Sequence, residues 1–159
     1  MAQKNKNKNN TILITRFSAV GDIAMTIPLL YSLCEKYPEH RFIFVSRERF
    51  GQFFINKPQN LEFEGINLDK YKGPTGLFKL YRELKKQYKP DMLADLHDVL
   101  RTKILRLYFR IFSRTKCAHI EKGRKEKRAL TRKENKCNAQ LTSTFERYRR
   151  VFDKLKLPF

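Results

Sequence analysis

Cysteine and histidine are scarce in this 159-residue sequence, with three of each. They are Cys34, Cys117 and Cys137, and His40, His97 and His119. The cysteines are odd in number, lie far apart and form no C-x-x-C pair, and the histidines show no metal-ligand spacing. Neither a disulfide framework nor a zinc site is indicated, and we expect no metal. This use of cysteine suits a reducing cytosol.

Long apolar runs are also missing. No stretch reaches the roughly 20 apolar residues that a membrane-crossing helix needs. Residues 1–10 are rich in lysine and asparagine and contain no apolar segment of the kind found in signal peptides. We interpret residues 1–10 as a disordered basic leader and predict a cytoplasmic protein.

Acidic residues are few relative to basic ones: 16 Asp and Glu stand against 35 Lys and Arg, which gives a formal net charge of +19. Such an excess calls for an anionic partner, which could be nucleic acid, a membrane surface or a phosphorylated ligand. The hydrophobic content of 41% is enough for one buried core, and the chain is short for two full domains.

The sequence alternates short apolar segments with amphipathic ones, which are typical of strands and helices respectively. We predict strands at 11–16, 41–46, 61–68, 91–96 and 116–120, and helices at 22–36, 47–55, 76–88, 99–112 and 139–157. Pro28 lies inside the first helix and predicts a kink or an irregular start there. The alternation implies right-handed crossovers and an α/β fold class, a Rossmann-like doubly wound parallel sheet spanning residues 11–159.

The segment Glu121–Lys136 carries eight Lys or Arg against three Glu. We predict a mobile basic loop over residues 121–138. Such a run could be an RNA-binding or localisation-like tract, or a loop that closes over an anionic ligand. It lacks the aromatic residues on which bases stack, so nucleic acid is the less favoured partner.

Ligands of open parallel sheets bind beyond the carboxyl ends of the strands. The first turn there runs from Arg16 to Asp22, RFSAVGD, and contains neither a dinucleotide fingerprint nor a P-loop. Gly21 permits a close backbone approach or a positive φ. From the residues alone, Asp22 is either a helix-capping carboxylate or a catalytic group, and Ser18 is either a turn hydroxyl or part of a ligand site.

Two stretches resemble the lipopolysaccharide heptosyltransferases of glycosyltransferase family 9. Ile12–Leu30, ILITRFSAVGDIAMTIPLL, resembles the opening strand, turn and helix of that family. Asp91–Thr102, DMLADLHDVLRT, resembles its fourth strand and following loop, usually D-L-Q-G-L-x-[KR]-[ST], in the same order and at a similar separation. His97 and Asp98 stand where the family usually has Gln and Gly, so the backbone at Asp98 is expected to approach a ligand less closely.

The resemblance implies the N-terminal, acceptor-binding lobe of a two-lobed GT-B enzyme. Such enzymes transfer heptose or a related sugar, with inversion and without metal, from a nucleotide-sugar donor such as ADP-heptose to a lipid A core acceptor. Donor binding belongs mainly to the C-terminal lobe, which we expect to be absent from this chain, so that the chain is incomplete unless a separate partner supplies that lobe. A place at the inner face of the cytoplasmic membrane would suit the acceptor.

Carried over residue by residue, the resemblance implies that Asp22 is the base that takes the proton of the acceptor hydroxyl. Ser18 and Gly21 match the turn that places it, and Arg16 and Arg101 match basic positions near the substrate anions. The remaining predicted substrate-binding residues lie at the start of the helix at 99–112 and in the basic loop: Thr102, Arg124, Lys125, Lys127 and Arg128. By themselves, His97 is expected to be a hydrogen-bonded structural residue and Asp95 a strand-end cap.

The helix predicted at 99–112 has two stripes. One is basic, with Lys103, Arg106, Arg110 and Arg114, and the other is apolar, with Leu100, Ile104, Leu107, Tyr108 and Ile111. A charged stripe is usually a solvated face, and the alternative is a surface that meets anionic lipid. The two competing functions for the chain are accordingly a basic nucleic-acid-binding α/β module and a membrane-docking remnant without catalysis.

Overall fold

The computed structural model describes residues 9–123, 128, 130 and 141–159, which form an all-parallel sheet of five strands. The strands are β1 Thr11–Thr15, β2 Arg41–Arg47, β3 Leu61–Ile66, β4 Met92–Asp95 and β5 Lys116–His119. Their order across the sheet is β3-β2-β1-β4-β5. All neighbouring pairs are parallel, as the alternation of strands and helices predicts. Residues 1–8 of the predicted leader and most of the predicted basic loop lie outside the described residues.

The α-helices whose bounds the described residues give are α1 Val20–Lys36, α2 Gly73–Tyr88, α3 Leu100–Phe112 and α4 Thr144–Lys154. Two short 3-10 helices cover Glu48–Phe53 and Leu68–Lys70. The helix predicted at 47–55 is therefore a 3-10 segment. Its short length and Gly51, a poor α-helix former, account for the difference.

The helices cover both faces of the sheet, which makes it doubly wound. Successive strand residues point to opposite faces: Ile12 and Ile14 contribute to one hydrophobic cluster and Leu13 to the other. The first cluster also contains buried residues of α1 and α4, including Leu30, Leu33, Val151 and Phe152. The second contains buried residues of α2 and α3, including Leu80, Leu84, Leu105 and Phe109.

Helix α1 starts at Val20, two residues earlier than predicted, and continues through Pro28 as one element. Proline removes the hydrogen bond to the carbonyl four residues before it, here that of Ala24. Ala24 and Pro28 are both exposed, so water can satisfy that carbonyl. The irregular start predicted from Pro28 is not observed. In the described part of the chain, no helix is long and apolar enough to cross a bilayer.

The strand order places a topological switch beside β1. The chain goes from β1 to β2 and β3 on one side, then crosses over to β4 on the other side of β1. The connections that leave β1 and β4 therefore diverge and open a crevice between their carboxyl ends, where ligands of this fold class bind.

Candidate functional site

The crevice is bounded by residues 16–19, between β1 and α1, and by residues 96–99, between β4 and α3. β1 and β4 are directly paired, with Thr15 opposite Asp95 at the last registered position. The two motifs that carry the family resemblance are thus neighbours in space, although about 80 residues separate them in the chain.

Arg16 lies at the centre of this crevice and is only 7% exposed. Its guanidinium donates to the Leu96 carbonyl and forms an ion pair with Asp22. The guanidinium carbon also lies 5.5 Å from the ring centroid of Tyr148, in α4. These contacts hold Arg16 in one position, and its charge is directed to Asp22.

Asp22 is the third residue of α1, and its side chain is 37% exposed. The N-cap position is occupied by Ala19, whose methyl side chain cannot accept a hydrogen bond. Asp22 therefore does not occupy the N-cap position, and its carboxylate pairs with Arg16. It combines a fixed cationic partner with access to solvent, as a group that acts on an incoming ligand requires.

Ser18 joins the two loops of the crevice. Its hydroxyl oxygen lies 3.1 Å from Nε2 of His97 and hydrogen-bonds with it. The pKa of His97 is lowered to about 4 by burial, with further contributions from the positive charges of Arg16 and Lys122. His97 is consequently neutral near pH 7, and it is hydrogen-bonded as expected.

The loop after β4 is held by Asp95, whose side chain is fully buried. One carboxylate oxygen accepts the backbone N–H groups of His97 at 3.0 Å and Asp98 at 2.9 Å, so Asp95 caps the strand end as expected. The other accepts from the Arg106 guanidinium at 2.7 Å. Asp98 has φ 47°, in the left-handed region that favours glycine and admits Asp more readily than most residues. Asp98 thus adopts a backbone conformation that glycine would also take readily.

Gly21 lies in the first turn of α1 and does not have a positive φ. Of the two alternatives predicted for Gly21, the positive φ is excluded, because the residue is helical. A Cβ built on Gly21 would meet no atom of the described residues within 4 Å outside its immediate chain neighbours. The backbone beside Asp22 is open, as the close approach of a ligand requires.

Arg101 and Thr102 both lie in the first turn of α3, at the same rim of the sheet as Asp22. Arg101 is half-buried. Thr102 is 1% exposed, and its hydroxyl accepts the Val99 N–H and donates to the Val99 carbonyl, both at 3.1 Å. These two hydrogen bonds make Thr102 part of the cap at the start of α3. Of the two predicted substrate residues, Arg101 is the one with solvent access.

The four predicted substrate residues of the basic loop are Arg124, Lys125, Lys127 and Arg128. The first three lie outside the described residues, and Arg128 is exposed. Next to the crevice is an open groove of about 660 Å³ that reaches from Asp98 to α4. Its basic lining residues are His119, Lys122, Arg147, Arg150 and Lys154. Asp98, Glu121 and Asp153 oppose them, so the groove has mixed charge.

Tyr148 is the site residue that the sequence did not single out. It is fully buried, and burial raises the pKa of its phenol to about 12. Within the described residues, no hydrogen-bond partner reaches its hydroxyl or Nε of Arg16. Helical spacing alone placed Tyr148 in the core with Val151 and Phe152. Its contact with Arg16 depends on how α4 packs against the sheet.

The described residues contain no group of three or more His, Cys, Asp or Glu side chains arranged to hold a metal ion. The chemistry available in the crevice comes from Asp22, the charge of Arg16, the neutral Ser18–His97 pair and Arg101 at the rim. A carboxylate beside an open backbone suits proton transfer from a bound hydroxyl.

No protein-family model matches this sequence, and no curated protein matches it. Solved structures match its fold. The glycosyltransferase family 9 protein of Veillonella parvula has a TM-score of 0.63 and 20% identity, with 93% of this chain and 41% of that one covered. The E. coli heptosyltransferase WaaC with ADP-2-deoxy-2-fluoro heptose has a TM-score of 0.58 and 17% identity, with 91% and 47% covered.

A UDP-N-acetylglucosamine 2-epimerase is also similar, with a TM-score of 0.52, 21% identity and 73% of this chain covered. These likenesses show that this chain has a Rossmann-like architecture. One lobe of the GT-B glycosyltransferases has the same architecture, and so does part of the epimerase. The present chain spans less than half the length of each of these three chains.

Proposed function

We propose that this chain is the acceptor-binding lobe of an inverting glycosyltransferase similar to the heptosyltransferases. In this proposal it acts on a hydroxyl of an anionic lipid A core acceptor at the cytoplasmic face of a membrane. The single observation that carries the proposal is the Asp22–Arg16 ion pair at the topological switch, with the carboxylate partly exposed in the crevice. The fold similarity to heptosyltransferases adds support.

Asp22 is the general base of the proposed reaction. A sugar hydroxyl is a poor nucleophile, and a carboxylate within hydrogen-bond reach can take its proton as the new bond forms. The hydroxyl oxygen bonds to the anomeric carbon of the donor, the bond from that carbon to the nucleotide breaks, and the nucleotide leaves with the electron pair. Arg16 aims the carboxylate, because Leu96 and Tyr148 fix its guanidinium.

The acceptor would lie between the crevice and the neighbouring groove. Its phosphate or carboxylate groups would meet Arg101 at the rim, and Lys122 and Arg150 in the groove, where charge-assisted hydrogen bonds orient an anion. The groove volume of about 660 Å³ suits a ligand of a few sugar units. The basic loop residues Arg124, Lys125, Lys127 and Arg128 remain proposed contributors.

The donor would be a nucleotide sugar such as ADP-heptose, held mainly by a second lobe. The E. coli heptosyltransferase bears an ADP-heptose derivative, and this chain corresponds to 47% of its length. The proposal needs no metal, because Asp22 supplies the base and the leaving nucleotide would be stabilised from the second lobe. Transfer accordingly requires that lobe, covalently joined or as a partner.

The first test is acceptor binding by the chain alone. Titration of the isotope-labelled chain with a phosphorylated lipid A core oligosaccharide should shift the backbone amide resonances of residues 18–22 and 97–102, which the dephosphorylated oligosaccharide should not do. Arg101→Gln should weaken binding about tenfold, the scale of one hydrogen bond to a charged group. The matched control is Lys36→Gln. It also removes one positive charge, but at the C-terminal end of α1, away from Asp22 and the crevice. Equal affinity of both variants would contradict the acceptor assignment.

The second test concerns catalysis by the chain together with a donor-binding lobe. Asp22→Asn should lower kcat by about a hundredfold or more, the usual contribution of a general base, with acceptor affinity maintained. Quenched-flow measurement of a single turnover isolates the chemical step. Transfer at the wild-type rate by this variant would show that Asp22 is not the base.

A further inference from the structure

The outer face of α3 is both apolar and basic. Leu100, Leu107 and Ile111 are 75%, 50% and 58% exposed. Lys103 and Arg110 share this face, since residues three and four apart lie one above the other on a helix, and the exposed Arg114 follows the end of α3. We call these six residues the α3 outer face. The sequence separated a basic from an apolar stripe, but the structure turns Arg106 inward to Asp95 and exposes the other basic residues beside the leucines and isoleucine.

An aromatic and basic groove of about 1060 Å³ adjoins this face, between α2 and the end of α3. Phe78 and Phe112 are 36% and 54% exposed, and their ring centroids lie 5.5 Å apart. The groove's basic lining residues are Lys79, Arg82, Lys85, Lys86 and Lys89. Glu83 is the acidic lining residue, so five basic side chains outnumber one acid.

We propose that the α3 outer face and the adjoining groove form a membrane-docking surface for anionic phospholipid. Exposed leucine, isoleucine and phenylalanine side chains lose contact with water when they enter the headgroup boundary, and lysine and arginine beside them meet lipid phosphates. The sequence of α3, LRTKILRLYFRIF, contains no acidic residue that would be repelled by such a surface.

The surface begins at the edge of the crevice, where Lys103 pairs with Asp98 at 3.7 Å, and extends away from it. α3 starts at the carboxyl rim, beside the site, and ends at the amino rim of the sheet, so its 13 residues span about 20 Å. The groove lies toward the amino rim, where Lys89 and Pro90 precede β4. A helix lying along the membrane would bring the edge of the crevice to the lipid surface.

Two other occupants fit less well. A second copy of the chain would oppose the same lysines and arginines across a symmetric interface, and like charges in contact are costly. Nucleic acid would use the basic residues and the Phe78 and Phe112 rings, but it would leave the exposed leucine and isoleucine side chains of α3 without a partner. A phospholipid surface is the partner that uses the aliphatic and the basic residues together.

The test is co-sedimentation of the chain with vesicles of phosphatidylglycerol and phosphatidylcholine, compared with phosphatidylcholine alone. Binding should require the anionic lipid. Leu107→Gln with Ile111→Gln, which keeps every charge, should weaken it about tenfold or more. Removal of Lys103, Arg110 or Arg114 by substitution with Gln should weaken it about fivefold per charge.

The matched control is Ile55→Gln with Phe145→Gln, which removes two apolar side chains that are 70% and 44% exposed elsewhere. It should bind vesicles like the wild type. The proposal would be overturned if the Leu107–Ile111 variant bound vesicles as tightly as the wild type. It would also be overturned if the wild type bound both lipid compositions equally. A melting curve for each variant confirms that it is folded.

The chain contains no tryptophan, so a single introduced one reports its own surroundings. Leu107→Trp should give a blue-shifted emission with anionic vesicles, and Ile55→Trp should not. An unshifted Leu107→Trp emission on bound protein would overturn the proposal, as would concentration-dependent dimerisation through these residues or tighter capture by duplex nucleic acid than by vesicles. No sugar is present in these experiments, so their outcome is independent of acceptor binding and transfer.

Discussion

Arg16 organises the candidate site at the scale of single residues. It contacts the carbonyl of Leu96, the carboxylate of Asp22 and the ring of Tyr148, and these groups come from the loop after β4, from α1 and from α4 respectively. A buried guanidinium needs such partners because its transfer from water is costly. One side chain therefore links the packing of three elements to the position of Asp22.

His97 allows this site to be tested through pH. Its pKa is near 4 in the folded chain, mainly because of burial and Arg16, against an ordinary value of 6.5. As the pH falls below 6.5, the unfolded chain takes up a proton that the folded chain does not, so folding stability falls until the pH nears 4. Between about pH 7 and pH 5 the wild type should lose folding stability, and we expect His97→Gln to reduce this loss by about 1 kcal/mol. That figure is discounted for the partial exposure of the ring.

Urea unfolding at both pH values measures this difference. Near pH 7 the neutral amide replaces a neutral imidazole, so any change there reports the altered contacts of the side chain with Ser18 and Phe17. The pH dependence is the separate quantity that reports protonation. A variant that loses as much stability on acidification as the wild type would show that His97 is not held neutral.

At the scale of secondary-structure elements, α1 and α2 each have a glycine near their start. Gly21 of α1 has open space beside it, and Gly76 of α2 is closely packed. A Cβ on Gly21 would meet nothing within 4 Å among the described residues outside its neighbours. A Cβ on Gly76 would lie 2.5 Å from the backbone carbonyl carbon of Tyr71. The first glycine leaves space beside Asp22, and the second lets the preceding turn pack against α2.

We expect Gly76→Ala to lower the free energy of unfolding by about 1–3 kcal/mol, because the backbone of Tyr71 must move. Gly21→Ala should leave stability unchanged or raise it by up to about 1 kcal/mol, since alanine is the better helix former. Under the proposed function, Gly21→Ala should nevertheless weaken acceptor binding, because the methyl group enters the open space. Urea unfolding and acceptor titration measure the two effects. Unimpaired acceptor binding would place the ligand away from Gly21.

Net charge acts at the scale of the whole molecule. The excess of 19 positive charges makes the folded state repel itself, and unfolding moves the charges apart. Among the described residues, most ion pairs, such as Arg41–Glu62 and Arg150–Glu146, are on the surface, where each contributes little. Repulsion should therefore outweigh them.

We expect added sodium chloride to stabilise the chain. Raising it from about 20 mM to about 200 mM shortens the screening length from roughly 20 Å to under 10 Å. The free energy of unfolding should rise on the order of 1 kcal/mol, comparable to one or two exposed charge pairs. Urea is the suitable denaturant because it carries no charge. A fall in stability with salt would mean that the ion pairs dominate.

The sequence by itself determined the fold class, the order of the strands and helices along the chain, and the turn that ends in Asp22. These follow from local patterns: apolar runs in buried strands, helical spacing in α2 and α3, and glycine and proline at the turns. It did not determine the 3-10 segment at Glu48–Phe53. That segment is too short for the spacing of its apolar residues to distinguish a 3-10 helix from an α-helix.

Only the tertiary structure decided which groups meet. The crossover from β3 to β4 brings Leu96 to Arg16 and His97 to Ser18, and the packing of α4 brings Tyr148 to the same guanidinium. Burial of Asp95 draws Arg106 inward and thereby sets which residues α3 exposes. Such contacts join residues distant in the chain, and their energies depend on desolvation and geometry, which no local sequence pattern encodes.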